Sequence, residues 1–169
     1  VYDMVGELEN GIITGLILVI GVLLFFMGFR NSFFVALAIP LSMLLAFIVI
    51  GTLGMTLNMI VLFALIMALG MLVDNAIVIV ENIYRHLELG ADRKTAAIEG
   101  TKEVAGAVAA STATTVAAFA PLLFWTGMMG PFMVYIPKPI VLVLICSLVV
   151  AFLAIPFLPS PLMTPAAFK

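Results

Sequence analysis

The sequence predicts an all-α integral membrane protein, a bundle of five transmembrane helices. Of its 169 residues, 65% are hydrophobic and only 9% are charged, and the mean hydropathy is +1.35. A soluble domain has about 25% charged residues. Five apolar stretches each exceed the roughly 17 residues that a helix needs to cross a bilayer. These spans must be helical, because backbone groups in lipid need hydrogen-bond partners within their own segment.

The apolar stretches give the order of the predicted helices, about residues 12–29, 33–53, 59–83, 104–125 and 140–158. Pro40, Pro121 and Pro156 lie inside the second, fourth and fifth of them. A proline removes a backbone donor, so we expect local kinks there. The predicted organisation is a lead-in at 1–10, three spans within 11–84, an amphipathic connection at 85–103, two spans within 104–158 and a tail at 159–169.

Basic residues predict the orientation of the spans. Six of them lie at connections that must share one side, namely Arg30, Arg85, Arg93, Lys94, Lys102 and Lys169, against Lys138 alone on the other side. Positive residues favour the cytoplasm. The lead-in is therefore expected outside, and the 85–103 connection and the tail inside. Asp92 is suited to start an interfacial helix at about residues 92–102.

Composition also excludes several functions. A net charge of −2 gives no basic patch for nucleic acid. His86 has no second histidine and the single cysteine, Cys146, is remote, so no metal set is expected. An intramembrane aspartyl protease would need aspartates on two spans, but only Asp74 lies within one. We therefore predict no catalytic residue, no cofactor and no enzyme.

Asp74 is the candidate functional residue, in the middle of the third span. It lies ten residues before Tyr84, about 15 Å along a helix, which places its carboxyl near mid-membrane. A carboxyl at that depth costs several kcal/mol, roughly 3 on insertion scales, and is a candidate for function. The alternative is a structural carboxyl that hydrogen-bonds neighbouring hydroxyls. Burial favours its neutral form and a nearby cation its charged form, so changing surroundings can load and release a proton.

Further polar residues accompany Asp74. Glu81, seven residues on, shares its helix face, and Asn75 and Asn82 repeat that spacing. Glu81 is also placed to reach the interface or to pair with Arg85. In the fourth span, the hydroxyls of Ser111, Thr112 and Thr115 are candidates to hydrogen-bond Asp74 or to line a water path. That span also carries two rows of small residues, which predict close helix packing: Gly106, Ala110, Thr114, Ala118 and Ala105, Ala109, Ala113, Ala117.

The stretch Gly70-Met-Leu-Val-Asp74-Asn75-Ala-Ile-Val-Ile-Val-Glu81-Asn82 resembles the fourth transmembrane helix of resistance–nodulation–division (RND) efflux pumps. Asn58 and the Ala118–Pro121 segment match the family on either side. The resemblance covers about residues 11–167 and corresponds to the second to sixth of twelve family helices. It implies a partial RND transmembrane repeat.

The resemblance implies that Asp74 and the adjacent position 75 form the proton relay, with Ser111, Thr112, Thr115 and Glu81 as possible support. Asn75 departs from the pattern, since many multidrug members have a second aspartate there. Asparagine can hydrogen-bond but cannot titrate. Of the family's two paired carboxyls, this sequence therefore has only the one at Asp74.

The function expected from the resemblance is the membrane domain of a proton-driven efflux pump in the bacterial inner membrane. Its expected partners are the lipid bilayer, the other half of the transporter, its periplasmic domains, a trimer of copies, a periplasmic adaptor and an outer-membrane channel. Two alternatives remain open. One is an ion-coupled factor of the related protein-secretion branch, and the other is a non-transporting membrane scaffold.

Overall fold

The structure, a computed structural model, describes residues 2–128 and 130–157. These residues form helices and short links, with the bounds α1 Tyr2–Thr52, α2 Met59–Glu88, α3 Arg93–Leu123, α4 Gly130–Val134 and α5 Pro137–Phe157. Five helical segments are long and apolar enough to cross a membrane: Glu9–Phe29, Asn31–Thr52, Met59–Glu88, Arg93–Leu123 and Phe132–Phe157. The predicted fold class, an all-α bundle of five membrane helices, is confirmed.

The first two spans follow one another in α1, with a break at Gly28. This glycine has φ 76° and ψ 168°, which is outside the helical region and favours a residue without a side chain. Ser32 Oγ donates a hydrogen bond to the Gly28 carbonyl at 2.7 Å, so the carbonyl beside the break has a partner. The chain can therefore change direction between spans without a long loop. Pro40 lies farther along, inside the second span.

Helix α2 lies at the centre of the bundle and contacts α1, α3 and α5. One set of its buried residues recurs every three or four positions, as expected for one helix face: Val61, Leu65, Ala68, Leu72, Ala76, Ile79 and Ile83. The helix begins where Asn58 Oδ1 accepts a hydrogen bond from the Val61 backbone N–H at 2.9 Å. This cap satisfies one of the backbone donors at the helix start.

Helix α3 corrects the predicted amphipathic connection. Residues 93–102 are helical, but they continue without a break into the fourth span and do not form a separate interfacial helix. The non-helical link is only residues 89–92, where Gly90 has φ 91°. Asp92 caps α3 by accepting from the Thr95 N–H at 3.3 Å, and hydrogen bonding from Thr95 lowers the pKa of this carboxyl. Before Pro121, α3 contains two glycines and no proline. A glycine inside a helix costs some stability but does not break the helix, so α3 is uninterrupted there.

The two predicted small-residue rows of α3 differ in burial: Ala105 and Ala109 of the second row are half-buried, whereas Ala113 and Ala117 are exposed. Gly106, Ala110, Thr114 and Ala118 are all exposed, and a Cβ added to Gly106 would meet nothing within 4 Å. The bundle instead contacts a third row with the same spacing of four: Ala96, Gly100, Val104, Val108 and Thr112. The close approach is at Gly100, where an added Cβ would lie 2.9 Å from Ile83 Cα. Close packing of the two predicted rows against other helices therefore stays a prediction.

Candidate functional site

Asn75 lies at the centre of a buried hydrogen-bond network that joins three helices. Thr112 Oγ1 of α3 donates to Asn75 Oδ1 at 3.0 Å. Asn75 Nδ2 donates to Ser147 Oγ of α5 at 3.4 Å, and Ser147 Oγ donates to the Leu72 carbonyl at 2.9 Å. We call these four groups the polar node. Because buried polar groups are costly without partners, the node holds α2, α3 and α5 in one arrangement.

The polar node requires a side chain at position 75 that both donates and accepts a hydrogen bond, as the amide of Asn75 does. Asn75 is 4% exposed and uses its carbonyl oxygen as acceptor and its amino group as donor. An ionised carboxylate only accepts hydrogen bonds, so it would lose the contact to Ser147, whose hydroxyl hydrogen already points to Leu72. Asn75, the residue that departs from the RND pattern, thus has a donor and an acceptor beside it that fit its amide. The node gives Asn75 a structural explanation that needs no titration.

Asp74 lies on the opposite side of α2 from the bundle interior. Successive helical residues are rotated by about 100°, and while Asn75 is buried, Asp74 is exposed. It belongs to a stripe of exposed residues along α2, which we call the outer face: Phe63, Met67, Gly70, Asp74, Val78, Glu81, Arg85 and Glu88. Asp74 and Glu81 share this face, as their spacing predicts. Any surface that covers the outer face would therefore contact the Asp74 carboxyl in the middle of the span.

The predicted hydroxyl support for Asp74 is not found among the described residues. Ser111 Oγ donates to the Val108 carbonyl at 3.0 Å, and Thr115 Oγ1 donates to the Ser111 carbonyl at 3.0 Å. Both hydroxyls are therefore bonded to their own helix. Of the three candidates only Thr112 reaches α2, and it contacts Asn75 rather than Asp74.

Ser147 was missed by the sequence analysis. It is 2% exposed and donates and accepts one hydrogen bond each within the node. The available signal was a lone hydroxyl in the fifth apolar span, where small polar residues serve contacts between helices. That Ser147 contacts Asn75 depends on how α5 is rotated relative to α2, and a local sequence pattern does not predict that rotation.

Glu103 joins the ends of α2 and α3 that lie near the 89–92 link. Its carboxylate accepts from Asn82 Nδ2 at 3.0 Å and from Arg85 Nη2 at 2.8 and 2.9 Å, and it contacts His86 Nε2 at 2.8 Å. Arg85 is thus paired with Glu103 and not with Glu81. The Arg85 and Glu103 side chains are about half exposed, so each contact contributes little by itself. Within the described residues, no group of three histidine, cysteine, aspartate or glutamate side chains is arranged to hold a metal.

Comparison with known proteins decides the family. The sequence profile of the AcrB/AcrD/AcrF family matches residues 1–168. The chain belongs to this family. The resemblance to RND transporters is thereby confirmed, and with five apolar helices the chain is part of a multi-pass membrane protein.

Named relatives agree with the family assignment. The chain is 34% identical over 154 residues to the swarming motility protein SwrC of Bacillus subtilis (strain 168), covering 89% of this chain and 15% of that protein. It is 36% identical over 147 residues to the multidrug resistance protein MdtC of Escherichia coli O139:H28, covering 84% and 14%. With MdtC of Yersinia pestis bv. Antiqua (strain Angola), it shares 35% identity over 125 residues, covering 73% and 12%. The chain therefore spans about one-seventh of the length of these relatives.

Proposed function

We propose that this chain is part of the membrane domain of an RND efflux pump driven by the proton-motive force, and that Asp74 is the coupling carboxyl. The observation that carries the proposal is the contrast between two adjacent residues. Asn75 is held inside the bundle by the polar node, whereas Asp74 is exposed in mid-span on the outer face. In a family of transporters, a carboxyl on that face is placed to contact the rest of the protein, which can change its surroundings.

The proposed coupling rests on a change in the surroundings of Asp74. An apolar cover favours the neutral acid, and a cation brought close favours the carboxylate. The covering surface would come from the remaining, larger part of the transporter, since this chain spans 15% or less of its named relatives. Movement of that surface across the outer face would then bind a proton and release it. Asn75 would serve this cycle by fixing the rotation of α2.

Orientation, partners and substrate belong to the same proposal. The link between α2 and α3 would face the cytoplasm, because the basic residues gather at that end. The membrane would be the bacterial inner membrane, and the partners would be the family's periplasmic domains, trimer neighbours, adaptor and outer-membrane channel. The likeness to proteins named for multidrug resistance favours drug-like substrates over exported proteins.

The test is substrate efflux by the full-length transporter in cells. Asp74→Asn keeps the size and hydrogen bonding of the side chain but cannot carry a proton, so efflux should fall to the level of cells without the pump. Glu99→Gln, an equivalent acid-to-amide change at the exposed Glu99–Lys102 pair of α3, is the control and should export normally. Equal protein levels in the membrane must accompany both results. Efflux by Asp74→Asn at the unsubstituted rate would refute the proposal.

A further inference from the structure

A groove of about 400 Å³ lies at the end of the spans that is farther from the 89–92 link. It is formed where α1 and α3 end and where α5 begins, and its lining residues are Leu53, Met55, Leu123, Lys138, Val141 and Leu142. Five of these six residues are apolar, and Lys138 is the charged one. We call this site the α5 groove.

The α5 groove faces away from α2. Ser147 Oγ donates to the Leu72 carbonyl, so the side of α5 that carries Ser147 faces α2. Lys138 precedes Ser147 by nine residues, about 900° of helical rotation, and Leu142 precedes it by five, about 500°. Both residues therefore lie on the far side of α5. The α5 groove is thus separate from the outer face of α2, the surface on which Asp74 lies.

An apolar stripe continues from the groove along the same side of α5. It consists of the half-buried Leu142 and the exposed Ile145, Val149 and Leu153, which follow one another at intervals of three or four residues. The rise from Lys138 to Val149 is about 16 Å. This length is close to half of the hydrocarbon core of a bilayer, about 15 Å. The stripe can therefore accommodate one acyl chain across one leaflet.

The charged end of the groove lies at the depth of lipid headgroups. Trp125 and Tyr135, between α3 and α5 at this end of the bundle, are exposed, and such side chains are enriched at the membrane interface. Lys138 is exposed and forms none of the ion pairs found in the described part of the chain. A lysine at this depth extends its ammonium toward the headgroups. The charge of the site therefore favours an anionic group joined to an apolar chain.

We propose that the α5 groove binds an anionic phospholipid of the phosphatidylglycerol class. The phosphodiester contacts the Lys138 ammonium, and one acyl chain lies along Leu142 and Ile145. The single net charge of this lipid matches the single lysine, whereas the ammonium of phosphatidylcholine offsets the charge of its own phosphate. A soluble phosphate ester would leave the apolar stripe uncovered. The site does not depend on proton coupling by Asp74.

The experiment reads lipid contact at the groove itself. The full-length transporter, with a fluorophore on an introduced Ile145→Cys and no other cysteine, is reconstituted in vesicles of phosphatidylglycerol and phosphatidylcholine with matched chains. One lipid at a time carries brominated chains, which quench the fluorophore. At equal amounts we expect about a fivefold enrichment of phosphatidylglycerol at the label, as for one lysine beside anionic lipid. Lys138→Gln should abolish the enrichment, and Lys138→Arg should keep it.

Lys102→Gln is the matched control, because Lys102 is an exposed lysine of α3 near the other end of the spans. It should leave the enrichment unchanged; an equal loss in both variants would indicate a general charge effect and overturn the proposal. Unchanged enrichment in Lys138→Gln would also overturn it. Absence of quenching by either lipid would do the same, since another part of the transporter would then cover the groove.

Two further arms identify the ligand and separate this site from the proposed function. Glycerol phosphate in excess should not reduce quenching by brominated phosphatidylglycerol; a reduction would indicate a site for a soluble phosphate ester and overturn the lipid proposal. Asp74→Asn should keep the enrichment, because lipid contact requires no transport. Normal efflux by Asp74→Asn would refute the proposed function and leave the result at the α5 groove unaffected.

Discussion

Thr112 Oγ1 donates a hydrogen bond to Asn75 Oδ1 at 3.0 Å, and this contact links α3 to α2 one residue away from the exposed Asp74. The bond places the side chain of Asn75 toward α3 and α5. Asp74 is consequently turned away from them by the geometry of the helix.

Thr112→Val should destabilise the bundle by about 1–3 kcal/mol, because valine has nearly the same shape and leaves Asn75 Oδ1 buried without a donor. Ser147→Ala should have a similar effect by removing the partner of Asn75 Nδ2. Thermal unfolding in detergent measures both. Ser111→Ala is the control, since Ser111 is exposed and bonded within its own helix. Equal unfolding temperatures for all three variants would contradict a stabilising role of the node.

Asn75→Asp should make stability depend on pH. A protonated acid can donate to Ser147 and accept from Thr112 as the amide does, whereas the carboxylate can only accept. Because the folded state favours the neutral acid, the variant's stability should be close to that of the unsubstituted protein at low pH and should fall as pH rises. Unfolding temperatures between about pH 3 and pH 8.5 measure this, because the range begins below the ordinary aspartate pKa of about 3.9 and ends well above it. A pH-independent difference between the two proteins would refute it.

Two glycines of α3 should respond in opposite ways to alanine. At Gly100 the added methyl group would lie 2.9 Å from Ile83 Cα and 3.1 Å from Ile83 N, so we expect a loss of about 1–3 kcal/mol. At Gly106 it would meet nothing within 4 Å and should stabilise the helix by about 0.5–1 kcal/mol. Unfolding of the 169-residue chain in detergent compares them. The same sign for both would mean that α3 is rotated relative to the structure.

Cysteine labelling tests the proposed topology. In a Cys146→Ala background, a cysteine at exposed Met128 should react with an impermeant reagent applied to intact cells, and one at exposed Thr95 should not. The reason is the basic residues on the Thr95 side. Both should react after the membrane is opened, which serves as the control. Labelling of Thr95→Cys from outside would mean that the chain has the opposite orientation in the membrane.

Hydropathy alone predicts the five spans, because the cost of an exposed backbone in lipid leaves few alternatives to a helix. The third predicted span even begins at the observed residue, Met59. Continuity was harder to predict. Residues 92–102 carry mixed charges and predict a separate interfacial helix, whereas α3 runs through them without a break and packs Gly100 against Ile83. The short α4 was not predicted, since five residues leave no periodic pattern.

The candidate site could be predicted only in part. Asp74 is recognisable because a carboxyl within an apolar span is rare and costly. The division of roles between Asp74 and Asn75 depends on which of two neighbours faces the bundle, and that is set by packing against α3 and α5. Ser147 and Thr112 meet Asn75 across 72 and 37 residues of sequence, so their selection over Ser111 and Thr115 required the structure.

The central claim is that Asp74 carries the proton exchanged for substrate. The direct measurement is proton movement in liposomes that contain the full-length transporter and an internal pH-sensitive dye, with substrate supplied to start transport. The unsubstituted protein should move protons when substrate is added. Asp74→Asn should move none, Asp74→Glu should retain part of the movement, and Glu99→Gln should behave as the unsubstituted protein. Substrate-dependent proton movement by Asp74→Asn at the unsubstituted rate would contradict the account.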